Sequence, residues 1–374
     1  MSDEKRLANF ELLRLIAMLM VIALHYFYYS GMLPTLIDHL EGQHILALIL
    51  ESFCIVAVNV FVMISGYFMV LSRFKFRRFF RLVCQVLFYT LLIPLVLSIF
   101  GLPVIAEQDG LYGMILYLLP ISTVHYWFIT AYLLLYLISP FLNAAFEKIE
   151  KIKLQKIIFI LLIIFCGIKS FIPVMLNLDS FGYDFGWFIC LYLVGAYIRI
   201  YGLPFMDRKY IGLMIYLICA SLIFFLKILS HYLYAKTGYF KYFYDIPFHY
   251  NFILVFLAAI GLFYSFINIK IEDGIIADLI RKMAPLCLGI YLLHMNIDIR
   301  DNWYPWTENL FGNLHELGIF GTFLNMIVTV LFVFIVGIII DFVRSHISNS
   351  VERNLIEQYE MSKALKEANK NRQV

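Results

Sequence analysis

Apolar runs of about 20 residues alternate with short polar segments along most of the chain. A helical run of this length matches the hydrocarbon core of a bilayer, because each residue advances a helix by about 1.5 Å. Membrane-crossing strands would instead alternate polar and apolar residues, and the sequence has no such stretch. The pattern predicts an all-α polytopic membrane protein with about ten transmembrane helices, at 10–30, 45–71, 79–100, 125–146, 154–176, 185–202, 210–231, 248–268, 283–298 and 319–343.

The composition supports this class. Of the 374 residues, 63% are hydrophobic and 15% are charged, and the mean hydropathy is +0.85. A soluble domain could not bury so much apolar surface. The first run contains Glu11 and Arg14 and is followed by no small-residue cleavage site, so we expect a retained span rather than a signal peptide.

The distribution of positive charge predicts the orientation. If the N-terminus is cytoplasmic, the inside segments hold 23 of the 29 Lys and Arg residues, and the outside segments hold three. This asymmetry is the one that the positive-inside rule describes, so we expect both termini in the cytoplasm. The inside segments are 1–9, 72–81, 147–156, 199–209, 269–282 and 344–374.

The same pattern divides the chain into a transmembrane domain, 1–343, and a polar cytoplasmic tail, 344–374. The tail is rich in Glu and Lys, as expected of a solvated helix or a frayed end. The outside loops are too short to form a separate domain. The apolar segment 111–120 is too short to span, so we expect it to lie on, or dip into, the outer face.

Several kinds of chemistry find no support in the sequence. The six cysteines lie in apolar runs without a CxxC pair, and no HxxxH or paired-carboxylate spacing is present, so we predict neither a disulfide framework nor a metal site. A P-loop, a GxGxxG motif and a G-x-S-x-G elbow are also absent. We predict no nucleic-acid partner.

The first span carries two ionisable side chains on nearly one face. Arg14 and His25 are eleven residues apart, which is about three helical turns, or roughly 16 Å along the axis. An ionisable group at bilayer depth is costly and usually faces a polar cavity or a partner. We therefore expect both side chains to face the inside of the bundle, with Glu11 one turn below Arg14.

The predicted orientation places three histidines and a carboxylate from four helices in the outer half of the membrane. They are His25, Glu51, His125 and His294, a set that is compatible with a proton-transfer site. Structural roles are the competing interpretation. His125 and His294 could be hydrogen-bonded residues at helix ends, and Glu51 could be a loop residue at the membrane surface.

Three further side chains are expected to support this region: Asn59 near the middle of the second span, Ser65 near its inner end, and Trp127 beside His125. At the inner side, RFKFRRFFR (73–81) concentrates positive charge. Anchoring to anionic lipid explains most of it, but Arg78 and Arg81 share a helix face that enters the membrane. With Arg14 they would suit phosphates, which arginine binds in bidentate fashion.

These motifs together resemble the membrane-bound acyltransferase-3 family of bacterial O-acyltransferases. ELLR ending at Arg14, followed by ten residues and His25, is similar to the family's D-x-x-R and histidine signature, with Glu11 in place of aspartate. Four further matches follow in the same order: VNVFVMISGYF (58–68), RRFFR (77–81), HYWFITAYLLLYLISP (125–140) and GIYLLH (289–294). Cys287 stands where the family often has serine or threonine, so we assign it no role.

The resemblance implies a function. Acetyl-CoA, or another acyl-CoA, would enter from the cytoplasm, with its phosphates on Arg14, Arg78 and Arg81. His25 would act as general base on a hydroxyl of a surface glycan or lipid-linked glycan, with Glu51 and His294 as further catalytic residues. A covalent acyl-histidine stays an alternative.

The resemblance also implies a multi-pass protein of the bacterial cytoplasmic membrane, in contact with membrane lipids and with a homodimer as an open question. A different class remains open at this stage. A transporter or flippase for a glycan, lipid or small solute would also carry intramembrane charges.

Overall fold

The computed structural model describes residues 6–105, 109–173, 180–206, 208, 210–312 and 318–371, with side chains to residue 350. Within these ranges the chain is helical and contains no strand, which confirms the predicted all-α class. The main helices are α1 (Ala8–Tyr29), α2 (Gly42–Cys54), α3 (Ala57–Met69), α4 (Phe76–Ile99), α5 (Leu111–Leu118), α6 (Trp127–Lys148), α7 (Lys151–Leu162), α8 (Ile168–Phe171), α9 (Phe185–Tyr201), α10 (Ile211–Thr237), α11 (Lys241–Asp245), α12 (Ile253–Ile267), α13 (Ile275–Met283), α14 (Cys287–His294), α15 (Trp303–Phe311) and α16 (Gly318–Asn371).

Within the described ranges, eight helical segments are long and apolar enough to cross a membrane, which confirms a multi-pass protein. Several of them join neighbouring elements, such as Gly42–Met69, which contains α2 and α3. Each of the eight overlaps a predicted span. The predicted span 185–202 agrees with α9, which has 17 residues, whereas the predicted span 283–298 contains only the eight-residue helix α14.

The predicted span 283–298 is broken for a local reason. Pro285 lies in a short 3-10 turn, Ala284–Leu286, between α13 and α14. Proline removes a backbone donor and disfavours a continuous helix. Helix α14 therefore starts afresh at Cys287 and ends at His294, which leaves His294 at a helix terminus close to α1.

The centre of the bundle depends on close helix approach at glycines. A Cβ placed on Gly66 of α3 would overlap the backbone carbonyl of Tyr192 on α9, and a Cβ on Gly195 of α9 would overlap the carbonyl of Met63 on α3. Small residues of this kind let membrane helices pack backbone to backbone. The α3 and α9 pair therefore forms a fixed wall beside α1.

The short helix α5 has eight residues and does not span, as the sequence predicts for 111–120. Asp298, in the turn after α14, holds this segment: the Tyr117 hydroxyl donates to its Oδ1 at 2.8 Å, and the Ile105 N–H donates to the same atom at 2.8 Å. These bonds tie the segment to the end of α14, and so to the vicinity of His294.

Candidate active site

A cavity of about 2260 Å³ runs between α1, α3, α4, α6, α14 and α16. One end, which we call the cationic end, includes Arg14, Arg78 and Arg81. The other, the histidine end, includes His25, Trp127 and Tyr250. The cavity therefore joins the two groups of residues that the sequence singles out. Further cations line it: Arg6, Lys75, Arg77, Arg199, Arg281, Lys282 and Arg344.

Helix α1 supplies one residue to each end, because the eleven-residue spacing turns Arg14 and His25 to the same side. Arg14 Nη1 lies 2.5 Å from Glu11 Oε1 in an ion pair between successive turns. Glu11 is buried, and Arg6 Nη1 approaches its other oxygen at 4.0 Å. Glu11 thus fixes the direction of the Arg14 guanidinium, as a positioning residue would.

His25 is paired with His294. His25 Nδ1 and His294 Nε2 are 3.0 Å apart, and His294 Nδ1 lies 2.6 Å from the carbonyl oxygen of Ile290. A carbonyl oxygen only accepts, so His294 Nδ1 carries a hydrogen. In neutral His294, Nε2 is then an acceptor, and His25 Nδ1 donates to it. The arrangement leaves a lone pair on His25 Nε2, the atom that a general base needs.

Arg78 and Arg81 lie in the first turns of α4, with Arg78 5.6 Å from the ring centre of Tyr136. Positive side chains are unfavourable at a helix N-terminus, because the exposed N–H groups there already carry partial positive charge. Arg77 adds a third cation in the same two turns. Local helix energetics therefore do not explain this cluster, whereas a bound anion or lipid headgroup would.

Ser65 and Trp127 also line the cavity. Ser65 Oγ donates to the carbonyl of Phe61 at 3.0 Å, one turn earlier on α3. Trp127 is the first residue of α6 and packs against Tyr183 and Tyr250. The two predicted supporting residues therefore line the same space, from α3 and α6.

Four predicted residues are absent from the described lining of this cavity: His294, whose contacts are given above, Asn59, His125 and Glu51. Asn59 donates to the carbonyl of Tyr250 at 2.7 Å and accepts from Trp187 Nε1 at 3.0 Å, which joins α3 to its neighbours. His125 accepts from the backbone N–H of Ile297 at 3.1 Å. Both side chains act as internal braces. The His125 bond joins the segment that carries Trp127 to the turn after His294.

Glu51 is buried on α2. It interacts electrostatically with Lys227 on α10, and also with Tyr183 and Tyr250. The hydrogen bond at His25 Nδ1 goes to His294. The structure thus pairs His25 with the histidine of α14.

A second carboxylate at the cavity was missed by the sequence analysis. Asp341 on α16 is fully buried and accepts from Gln85, Tyr89 and Arg344, with the Tyr89 hydroxyl at 2.8 Å and Arg344 bound through Nε and Nη2. A Cβ on Gly289 would collide with it. The signal was present: an aspartate in an apolar run with an arginine three residues later.

Metal ligation has no structural candidate in the described ranges, where no group of three or more His, Cys, Asp or Glu side chains is placed to hold an ion. The polar groups of the cavity are instead arginines at one end and a neutral base at the other. Chemically, this arrangement suits an anionic substrate whose reactive part lies some distance from its charge.

Comparison with known proteins gives one match. The family model described as an acyltransferase domain matches residues 7–344, nearly the whole chain. Neither the curated proteins nor the solved structures contain a significant match.

Proposed function

This chain belongs to the acyltransferase-3 family, and from that premise we propose that it moves an acyl group, most simply acetyl, from cytoplasmic acyl-CoA to a hydroxyl of a cell-surface or secreted polysaccharide. The observation that carries the proposal is the single cavity that joins a cluster of arginines to the free nitrogen of His25. The proposed location is the bacterial cytoplasmic membrane.

The cationic end suits the phosphates of CoA. Arg14, Arg78 and Arg81 come from two helices and line one space. Guanidinium groups bind phosphate oxygens in bidentate pairs, and they do so more strongly where water is displaced. The Arg14 to His25 separation of roughly 16 Å along α1 leaves room for an extended pantetheine arm.

The histidine end suits the acyl transfer. His25 Nε2 takes the proton of the acceptor hydroxyl as its oxygen attacks the thioester carbonyl carbon. The C–O bond forms, the C–S bond breaks, and the departing sulfur takes the proton back from His25. The products are an O-acyl ester and CoA with a free thiol. No net proton is released or consumed.

His294 acts in this scheme as a positioning residue. Its hydrogen bond keeps the His25 ring in the tautomer whose Nε2 is unprotonated, and it stabilises the positive charge that forms when His25 takes a proton. Glu11 has the corresponding role for Arg14. The partners that we propose are acyl-CoA, a glycan or lipid-linked glycan acceptor, membrane lipids, and a second copy of the chain in a homodimer.

The test is thiol release from acetyl-CoA by detergent-purified protein with a mixed oligosaccharide acceptor. We expect acceptor-dependent release by the wild type and a loss of about a hundredfold or more in His25→Ala, since it removes the general base. His39→Ala is the matched control, because His39 is an exposed histidine in the loop after α1; its rate should stay at the wild-type value.

Two results would contradict the proposal. Unchanged release by His25→Ala would remove His25 from the chemistry. Absence of both thiol release and CoA binding in the folded protein would favour a transporter of glycans, lipids or small solutes. Isolation of an acylated His25 would instead keep the enzyme class and establish transfer in two steps.

A further inference from the structure

Three aromatic side chains form a contiguous surface at the histidine end, which we call the aromatic wall: Trp127, Tyr183 and Tyr250. The ring centres of Trp127 and Tyr183 are 4.5 Å apart, those of Tyr183 and Tyr250 4.7 Å, and those of Trp127 and Tyr250 5.9 Å. Trp127 and Tyr250 are stacked, with 23° between their planes. Both line the cavity together with His25.

The aromatic wall reaches from the cavity to the protein surface. Tyr250 is only 6% exposed, whereas Tyr183 is 41% exposed in the loop before α9. The backbone of Tyr250 is held on both sides, since its N–H donates to the carbonyl of Phe181 at 3.1 Å and its carbonyl accepts from Asn59 at 2.7 Å. The wall is therefore a fixed surface between solvent and the proposed catalytic base.

Trp187 shows what an aromatic residue with only a packing role looks like in this bundle. It is fully buried, and its indole N–H is satisfied by Asn59. The aromatic wall differs in both respects: one member is exposed to solvent, and two members line a cavity. Packing in the core does not require an aromatic side chain to be exposed or to line a cavity.

A carboxylate stands behind the aromatic wall. Glu51 is 7% exposed, and its Oε2 has no hydrogen-bond partner among the described residues. It interacts electrostatically with both tyrosines of the wall. A buried carboxyl oxygen without a donor is costly. Because Glu51 lies outside the cavity lining, it would act on a bound glycan through the tyrosine hydroxyls.

This combination matches one class of ligand. A pyranose ring presents an apolar face of C–H groups and a rim of hydroxyls, so it needs a flat aromatic surface together with nearby acceptors and hydroxyl partners. We propose that the aromatic wall, with Glu51 positioning its tyrosines, forms the subsite for a pyranose ring of the acceptor, next to the position where its reacting hydroxyl meets His25. The inference rests on the proposed function.

The subsite assigns distinct roles to its members. Trp127 and Tyr250 carry the ring by contact with its apolar face, and Tyr183 contacts the part of the glycan nearer to solvent. Glu51 is a positioning residue that acts on the glycan through the hydroxyls of Tyr183 and Tyr250. Since the arginines lie at the opposite end of the cavity, changes in the aromatic wall should leave donor binding intact.

The experiment measures two quantities for each variant: the mixed-oligosaccharide concentration that gives half the maximal rate of thiol release, and the dissociation constant for acetyl-CoA. For Trp127→Ala we expect the half-saturating concentration to rise about tenfold or more, with acetyl-CoA affinity within about twofold. Trp306→Ala is the matched control, because Trp306 is a partly exposed tryptophan outside the cavity lining.

Glu51→Gln tests the positioning role, since the amide keeps the size and removes the charge. We expect the half-saturating oligosaccharide concentration to rise about tenfold while kcat stays within about threefold, because the tyrosine hydroxyls that contact the glycan lose the carboxyl group that positions them. If Glu51 acted through His25 instead, kcat would fall and the half-saturating oligosaccharide concentration would stay at its wild-type value. That result would overturn its place in the subsite.

Failure of the subsite and failure of the proposed function give different results. If the wild type releases thiol and Trp127→Ala keeps the wild-type half-saturating concentration, the subsite is wrong and the acyltransferase stands. If Trp127→Ala weakens acetyl-CoA binding as much as acceptor binding, the wall is structural. Should Trp127→Ala fail to fold, Tyr183→Ala decides the question, because Tyr183 is solvent-exposed.

Discussion

The pairing of His25 with His294 shows how one backbone carbonyl can fix the tautomer of a histidine ring that is two hydrogen bonds away. Ile290 fixes the hydrogen on His294 Nδ1, and His294 in turn fixes the hydrogen on His25 Nδ1. Catalytic histidines commonly have such an orienting partner. Here the partner is a second histidine on the short helix α14, which begins afresh after Pro285.

Replacing His294 should therefore lower the rate without removing the base. His294→Gln keeps an acceptor for His25 Nδ1, so we expect a kcat loss of about tenfold, whereas His294→Leu should lose about a hundredfold or more. The measurement is kcat for thiol release at saturating acetyl-CoA.

The control for this prediction is His44→Gln, at a partly exposed position in the first turn of α2. It should keep the wild-type kcat. Equal losses in His294→Gln and His294→Leu would contradict a role based on hydrogen bonding, and would point to packing at the end of α14.

At this scale the sequence predicts some site residues and misses others for clear reasons. Helical spacing alone places Arg14 and His25 on one face of α1, and both line the cavity. The predicted depth in the membrane places His294 and Glu51 at the same level. Depth does not show which neighbouring helix each side chain faces. His294 therefore meets His25, whereas Glu51 lies near Lys227.

The helix α16 is attached to the cavity wall through Asp341. One carboxylate binds Arg344 on its own helix and Gln85 and Tyr89 on α4, and it packs against Gly289 of α14. Three helices thus meet at a single buried charge. Such a charge is stable only while its partners are present.

Asp341→Asn should destabilise the protein substantially. The substitution leaves the Arg344 guanidinium, whose side chain is only 11% exposed, without its counter-charge, which typically costs about 3 kcal/mol or more. Thermal unfolding in detergent is the measurement, and we expect a clear decrease in the midpoint.

Asp278→Asn is the comparison for this prediction. Asp278 pairs with Arg281 at 2.9 Å but is mostly exposed, so its loss should cost less than about 1 kcal/mol. If both substitutions shifted the midpoint equally, the Asp341 cluster would not be the attachment point that we describe.

Elements were predicted from hydropathy where a span is long and uninterrupted, as in α1, α4 and α10. The same method overestimates the span at 283–298, because it averages across Pro285 and the turn after His294. The contact between α3 and α9 could not be predicted either. It depends on Gly66 and Gly195 facing each other's backbone, and spacing within one helix does not reveal its partner.

For the whole molecule, the cavity and the predicted orientation together indicate the side of the membrane from which the acyl-CoA donor enters. The cationic end should open to the cytoplasm, because the inside segments carry most of the positive charge. Cys84 is exposed and lines the cavity one turn beyond Arg81, whereas Cys166, Cys190, Cys219 and Cys287 are buried.

We therefore expect one fast-reacting thiol, Cys84, which a membrane-impermeant maleimide modifies only from the cytoplasmic side. Saturating CoA should slow the modification about tenfold, since the bound donor would cover the thiol. Cys84→Ser, which should remove the fast phase, identifies the site. Modification from the opposite side would contradict the orientation, and modification unaffected by CoA would contradict the assignment of the donor site.

The carbonyl of Ile290 has a consequence for where a proton can travel. When His25 takes a proton, its other hydrogen can shift to His294, so the positive charge is shared by the two rings. Beyond His294 the route stops, because a carbonyl oxygen accepts a hydrogen bond and does not take the proton itself. The two rings together bind one extra proton, and this proton can enter or leave only at His25 Nε2. Each proton stored there has to leave through the cavity by which it entered, so in the proposed reaction the same proton passes from the acceptor to the departing thiol.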